Sequence, residues 1–213
     1  MRHTKLVPAL FAALVLAGCG GDDMFDETGG IRVTRSACPA VAVPAYTGDV
    51  TLFDPPASRD ASAIDVVATI TNVQGACSEG TEAMTANANF EVTARRNSGV
   101  GARQVVIPYF ATVVRGGSKI VSKQIGQVAL NFADGEIRAS TRASATANVD
   151  RSAVTLPEET VKRINRKRKP GDADASIDPL ADPAIRAAVS NANFELLVGF
   201  QLTQEQLAYN ATR

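Results

Sequence analysis

The side chains in this chain that could do chemistry are few. Three are the thiols of Cys19, Cys38 and Cys77; the single imidazole belongs to His3. Lys162, Arg163, Arg166, Lys167, Arg168 and Lys169 put six cations into eight residues. Such a block has two readings: a docking site for phosphates, anionic headgroups or an acidic partner, or a solvated helix end neutralised by its neighbours. The neighbours are acidic: Asp172, Asp174, Asp178 and Asp182 follow directly. Asp172 to Asp178 has some look of a calcium loop. An EF-hand, however, needs glycine at its sixth place and a bidentate acid at its twelfth, and Ile177 and Pro183 stand there. An acidic linker is the simpler reading. No Gly-x-Ser-x-Gly elbow, Ser-x-x-Lys motif or Walker loop occurs. Distant carboxylates brought together by strands remain the one hydrolytic arrangement open to the chain.

The first of the cysteines has the most specific context. Arg2, His3 and Lys5 precede an apolar run from Leu6 to Leu16, which leads into Leu16-Ala17-Gly18-Cys19. The run is too short to span about 30 Å of hydrocarbon as a helix. The tetrapeptide resembles the lipobox of bacterial lipoproteins, in which the cysteine sulfur receives a diacylglycerol and becomes the new N-terminus. An ordinary secretory signal with a coincidental cysteine is the competing reading. The resemblance implies a signal peptide over residues 1–18 and acylation at Cys19. It also implies an address in the cell envelope, at the periplasmic face of the outer membrane, since Gly20 rather than Asp follows the cysteine. Two acyl chains hold a protein at a bilayer where one holds it marginally. Residues 19–30 then form a Gly- and Asp-rich tether, of which Gly20 to Gly30 reaches ~40 Å at full extension.

On that reading the other residues change meaning. His3 leaves with the signal, which removes a Ser-His-Asp triad and any histidine-ligated zinc site. Without residues 1–18 the chain has 195 residues, with 20 basic against 22 acidic and a net charge of −2. That balance argues against nucleic acid as a partner. Tryptophan is absent, which disfavours sugar recognition by ring stacking. With Cys19 assigned to lipid, Cys38 and Cys77 remain as an even pair in an oxidising compartment, and one disulfide is expected between them. Two free thiols or a metal pair is the alternative, although no third ligand lies nearby in sequence.

The elements that must position these residues read as strands. Ile64 to Thr71 places apolar residues at even positions, Ala86 to Ala94 alternates throughout, and Glu136 to Asp150 puts Ile137, Ala139, Thr141, Ala143, Ala145, Ala147 and Val149 on one face. A period of two means half-buried strands with one wet face. Val105 to Val114 is more continuously apolar, with Pro108 predicting a bulge or an edge. Gly116-Gly117-Ser118 predicts a hairpin into Lys119 to Phe132, where Gly126 suggests a kink that splits the strand. Ala133-Asp134-Gly135 predicts a second hairpin. Phe194 to Leu202 closes the chain. Ala40 to Val43 and Val50 to Phe53 read as short strands, and Ile31 and Val33 as the start of another.

Residues 151–192 interrupt the pattern. Pro157 to Lys169 predicts a helix with Thr155 as its cap and Glu158 and Glu159 in its first turn. Pro183 to Val189 predicts a second helix. Thr203 and Gln206 form a capping-box pattern near the end, with Leu207 and Tyr209 expected to pack on the core. Asn210-Ala211-Thr212 matches a glycosylation sequon by chance.

Seven to nine strands without βαβ alternation predict an all-β, antiparallel sandwich over residues 31–213 with a short helical insertion; a small barrel is the runner-up. In strand number it resembles immunoglobulin-like or fibronectin-type domains. The expected function is a non-enzymatic binding or structural module, with no cofactor and no metal, held at a membrane by a lipid anchor and meeting an anionic envelope component or a protein partner. A small-ligand or lipid carrier and a carboxylate-dependent hydrolase are the alternatives.

Overall fold

The alternating segments form eight strands: β1 (Ala40–Ala42), β2 (Asp49–Phe53), β3 (Ile64–Glu79), β4 (Ala83–Arg96), β5 (Arg103–Arg115), β6 (Lys119–Phe132), β7 (Arg138–Asp150) and β8 (Phe194–Phe200). The structure, a computed structural model, describes residues 36–166, 171–173 and 177–212. Ile31, Val33, Cys19 and Lys167 to Lys169 lie outside them. The strands make two four-stranded sheets, ordered β1-β8-β5-β6 and β2-β3-β4-β7. They pack face to face as an all-β sandwich. One pairing departs from the antiparallel expectation: β1 runs parallel to β8, through three residues. Strands this far apart in sequence pair in either direction, because no short turn dictates their polarity.

The period of two decides which side chains meet. Val66, Ala68 and Ile70 of β3 face inward opposite Arg96, Ala94 and Val92 of β4. Ala86, Ala88 and Phe90 lie opposite Ala147, Ala145 and Ala143 of β7. In the other sheet Leu130 and Phe132 of β6 and Leu196 and Phe200 of β8 are fully buried, as is Met84 of β4. Each such side chain contributes on the order of 1.5–3 kcal/mol relative to exposure.

A bulge corrects the phase of β3. The pairing register shifts between Thr71 and Gln74, and Asn72 adopts a φ of 50° there. One extra residue turns the rest of the strand over, so Gly75 and Cys77 rather than their even neighbours lie opposite Ala88 and Ala86. That inversion carries Cys77 to the side on which β1 lies. Cys38 and Cys77 are joined as a disulfide with their Cα atoms 6.0 Å apart. The layers approach closely beside it: a Cβ on Gly75 would stand 2.9 Å from Val41 Cγ2.

Three local expectations are revised by packing. β6 is continuous through Gly126, which is present because the Tyr109 ring occupies the space where a side chain would be. Pro108 causes no bulge. It lies one residue beyond the β5–β8 ladder, which ends at Tyr109 and Phe200; its carbonyl still accepts from Gln201 N at 2.9 Å, so only the N–H half of that terminal pair is missing. The β5–β6 register shifts instead at Val113 and Val114. Finally, the segment after Phe132 makes a turn but no hairpin: β6 and β7 belong to different sheets, and the turn carries the chain between layers.

Arg96 explains that last change. It is 3 % exposed, at an inward position of β4. Its Nε donates to Glu136 O (2.7 Å), Nη1 to Gly101 O (2.7 Å), and Nη2 to Gly99 O (2.7 Å) and Ala133 O (2.9 Å). The guanidinium carbon lies 5.2 Å from the Phe132 ring centroid. Carbonyls that a hairpin ladder would pair are thus taken by one buried side chain, which locks two loops together.

The insertion between β7 and β8 holds α1 (Arg151–Val154), α2 (Glu158–Ile164) and α3 (Pro183–Asn191). α2 ends at Ile164, earlier than the charge pattern predicts. Its N-cap is Pro157, while the Thr155 hydroxyl donates back to Arg151 O at 2.7 Å. After β8, Thr203 and Gln206 form a reciprocal capping box at the start of α4 (Gln204–Thr212). Tyr209 packs edge-on against Phe53 at 5.3 Å, whereas Leu207 stays exposed. Asn210 is buried, with Nδ2 donating to Tyr46 O and Asp49 O. Both amide hydrogens have partners, so the sequon offers no free amide in the folded chain.

Candidate functional site

Two charged surfaces compete for attention. The cation block that stands out in the sequence begins on α2, and its first members turn to local carboxylates. Lys162 Nζ lies 2.9 Å from Glu158 Oε1 and 3.4 Å from Glu159 Oε1. Arg163 pairs with Asp182, and Arg166 is engaged as well. Asp182 also caps α3, its Oδ1 accepting from Ala184 N at 2.8 Å and Ile185 N at 3.4 Å. The Ala184 N–H, then Arg163, hold the Asp182 carboxyl below the usual carboxylate range. These pairs sit in solvent and add little to stability. Of the acidic run, Asp174 lies outside the described residues. Among the described residues no group of three or more His, Cys, Asp or Glu could hold a metal, and no helix is long and apolar enough to cross a membrane.

The second surface is the outer face of the sheet β2-β3-β4-β7. Odd residues of β4 and even residues of β7 point outward there. Register sets them side by side: Arg95 opposite Arg138, Thr93 opposite Ser140, and Glu91 opposite Arg142. The face carries a shallow concavity, open to solvent, of about 850 Å³. Ala61 and Ile64, in and just after a short helical turn (Ala61–Ala63) that precedes β3, are among its lining residues. Asp65, Val67, Thr69, Glu91, Thr93, Arg95, Arg138 and Ser140 line the floor and sides.

Two of the acids near this face, Asp65 and Asp49, are already committed. Asp65 takes a two-pronged bond from Arg103, with Nη1–Oδ1 at 2.8 Å and Nη2–Oδ2 at 2.6 Å. That hydrogen bond raises the Arg103 pKa above its ordinary value, against the opposing effect of burial. Asp49 accepts from the Thr69 hydroxyl at 2.6 Å. Glu91 faces Arg142. Neither Arg95 nor Arg138 forms a salt bridge with another described residue.

Like charges directly opposite one another weaken a sheet. Two guanidiniums so placed make a cradle for an anion, with hydroxyls of Thr93 and Ser140 one step along each strand. A guanidinium has five donors and no acceptor, so the arrangement is suited to holding an anion. Sequence reasoning places Arg138 and Arg142 on a wet face but has no means to bring Arg95 beside them. The pairing spans 43 residues and is visible only as strand register. Compared with known proteins, the chain matches no family model, no curated protein and no solved structure.

Proposed function

We propose that the chain is a lipid-anchored module of the bacterial cell envelope, held at the membrane through Cys19, which binds rather than transforms its partner. The observation that carries this is Leu16-Ala17-Gly18-Cys19 behind an apolar run and a basic start. The Cys38–Cys77 disulfide fits the oxidising compartment that the anchor implies. Loss of His3 with the signal removes the commonest acid-base group. A core filled by Phe132, Phe200, Met84 and Leu130 favours a solid module over a carrier with a central cavity. Immunoglobulin-like or fibronectin-type character is supported by eight strands in two layers; the order β2-β3-β4, a plain meander, speaks for a different winding.

The binding face in this reading is the concave outer face bearing Arg95 and Arg138. It is favoured over the α2 block because Lys162 and Arg163 already have carboxylate partners. Palmitate labelling tests the anchor. The wild-type chain takes up label and sediments with membranes, and Cys19→Ser does neither. A serine variant that still carries acyl groups sinks the proposal.

A further inference from the structure

We propose that Arg95 and Arg138 form a site for the phosphate group of a phosphomonoester. This rests on the outer face being the binding surface of the module.

Charge balance selects the ligand class. On this face Glu91 and Arg142 balance one another only as register partners, without an ion pair, and Arg103 is paired with Asp65. Arg95 and Arg138 remain as two adjacent positive charges. A carboxylate supplies one negative charge and is satisfied by one guanidinium fork, which leaves the second arginine uncompensated. A phosphomonoester carries about −1.5 to −2 at neutral pH and three acceptor oxygens, which matches two forks. Directly opposed strand positions have Cβ atoms ~5 Å apart, so the two side chains can converge on one tetrahedral group. Thr93 and Ser140, opposed on the same face, add hydroxyl donors beside it.

The volume extends the argument. A concavity of about 850 Å³ is far larger than a phosphate ion needs. The apolar side chains of Ala61, Ile64 and Val67 in its lining offer contact to an organic body attached to the phosphate. The ligand is therefore an organic phosphomonoester, either a soluble one or the headgroup of a lipid.

The full chain, purified in detergent, is titrated with inorganic phosphate and glucose 1-phosphate, followed by phosphorus NMR. In a second arm it is mixed with phosphatidylcholine vesicles with and without phosphatidic acid. Saturable binding of glucose 1-phosphate identifies a soluble source, and binding only to vesicles that contain phosphatidic acid identifies a lipid source. In either case Arg95→Gln and Arg138→Gln each weaken binding about tenfold or more, and Arg95→Lys, which keeps the charge but loses the fork, falls between. Circular dichroism confirms that the variants fold. Lys162→Gln and Arg163→Gln leave the affinity within about twofold. Absence of binding in both arms overturns the inference. So does binding that survives Arg95→Gln and Arg138→Gln, or acetate competing as well as phosphate at equal ionic strength. The underlying readings fail separately: acylation of Cys19 is read by intact mass, and a crosslinker at Ser140 that captures a defined envelope component without phosphate binding keeps the face while removing the phosphate.

Discussion

The Tyr109 ring lies across Gly126, its register partner on the adjacent strand, and reaches over it so that the hydroxyl donates to Ser144 O of β7 at 3.1 Å. The same ring meets Phe90 edge-on at 5.3 Å. One side chain from β5 therefore bridges the two sheets past the edge strand β6. A Cβ at position 126 would stand 2.4 Å from Tyr109 Cζ. Gly126→Ala is expected to destabilise the fold by about 1–3 kcal/mol through overpacking, although alanine otherwise suits an ordered segment better than glycine. In a Tyr109→Ser background the sign reverses, to a gain of about 0.5 kcal/mol. Urea denaturation of the four proteins of this double-mutant cycle checks both; equal effects in the two backgrounds would remove the steric explanation.

Arg96 holds the opposite kind of position, a cation buried without a carboxylate. Its five-pronged geometry is used to collect carbonyls of Gly99, Gly101, Ala133 and Glu136. Arg96→Met keeps much of the volume but removes the side-chain donor from all four oxygens; Gly99 O keeps Gly135 N–H and Ala133 O keeps Glu136 N–H, while Gly101 O and Glu136 O lose the bond that Arg96 gave them. At about 1–3 kcal/mol for each one that water does not reach, with partial relaxation, a loss of roughly 3–4 kcal/mol is expected. The damage is local in origin, so amide exchange should quicken first at Gly135 and Gly101, whose N–H groups bond to Gly99 O and Asp134 Oδ1. A loss under about 1 kcal/mol contradicts this role.

The disulfide links the segment before β1 to the turned-over half of β3, 39 residues further on. Cys38→Ala combined with Cys77→Ala is expected to cost on the order of 3–4 kcal/mol by loop-closure entropy. Mass spectrometry after alkylation provides the covalent check: no label at either residue before reduction, two labels after it.

Asp182 couples the cation block to α3, and its titration carries a sign. The folded carboxyl is depressed, chiefly by the Ala184 N–H and next by Arg163. Its stabilising contribution is therefore complete above the unfolded value of about 3.9 and is lost as pH falls through the lower folded value. Carbon-detected NMR should find the Asp182 midpoint below that of an ordinary aspartate. Arg163→Gln should move it upward without restoring it, because the backbone donor remains. A full return to the ordinary value on removing Arg163 would reverse the ranking of the two causes.

Much of the fold can be read directly from the alternation. Ala86 to Ala94 and Ala139 to Val149 declare their inward faces residue by residue, and those faces lie side by side on the core side of one sheet. The second half of β3 is different. Residues 74–79 hold no apolar alternation, and their strand exists because β4 supplies a partner for each of them after the bulge at Asn72. Pro108 and Gly126 look locally like interruptions, yet each is accommodated by a neighbour: the end of β8 in one case, the Tyr109 ring in the other.

The candidate site divides along the same line. Six cations within eight residues announce themselves in the sequence because their neighbourhood is local, and locality is also why nearby acids answer Lys162 and Arg163. Arg95 and Arg138 are each unremarkable polar positions on their own strands. What the amino-acid order by itself determined was which residues of the alternating strands face inward and where α3 begins. What the tertiary structure alone decided was which strand lies beside which. Side-chain alternation is a property of one strand, whereas register is a property of two, and the meeting of two guanidiniums over a shared concavity is set by register.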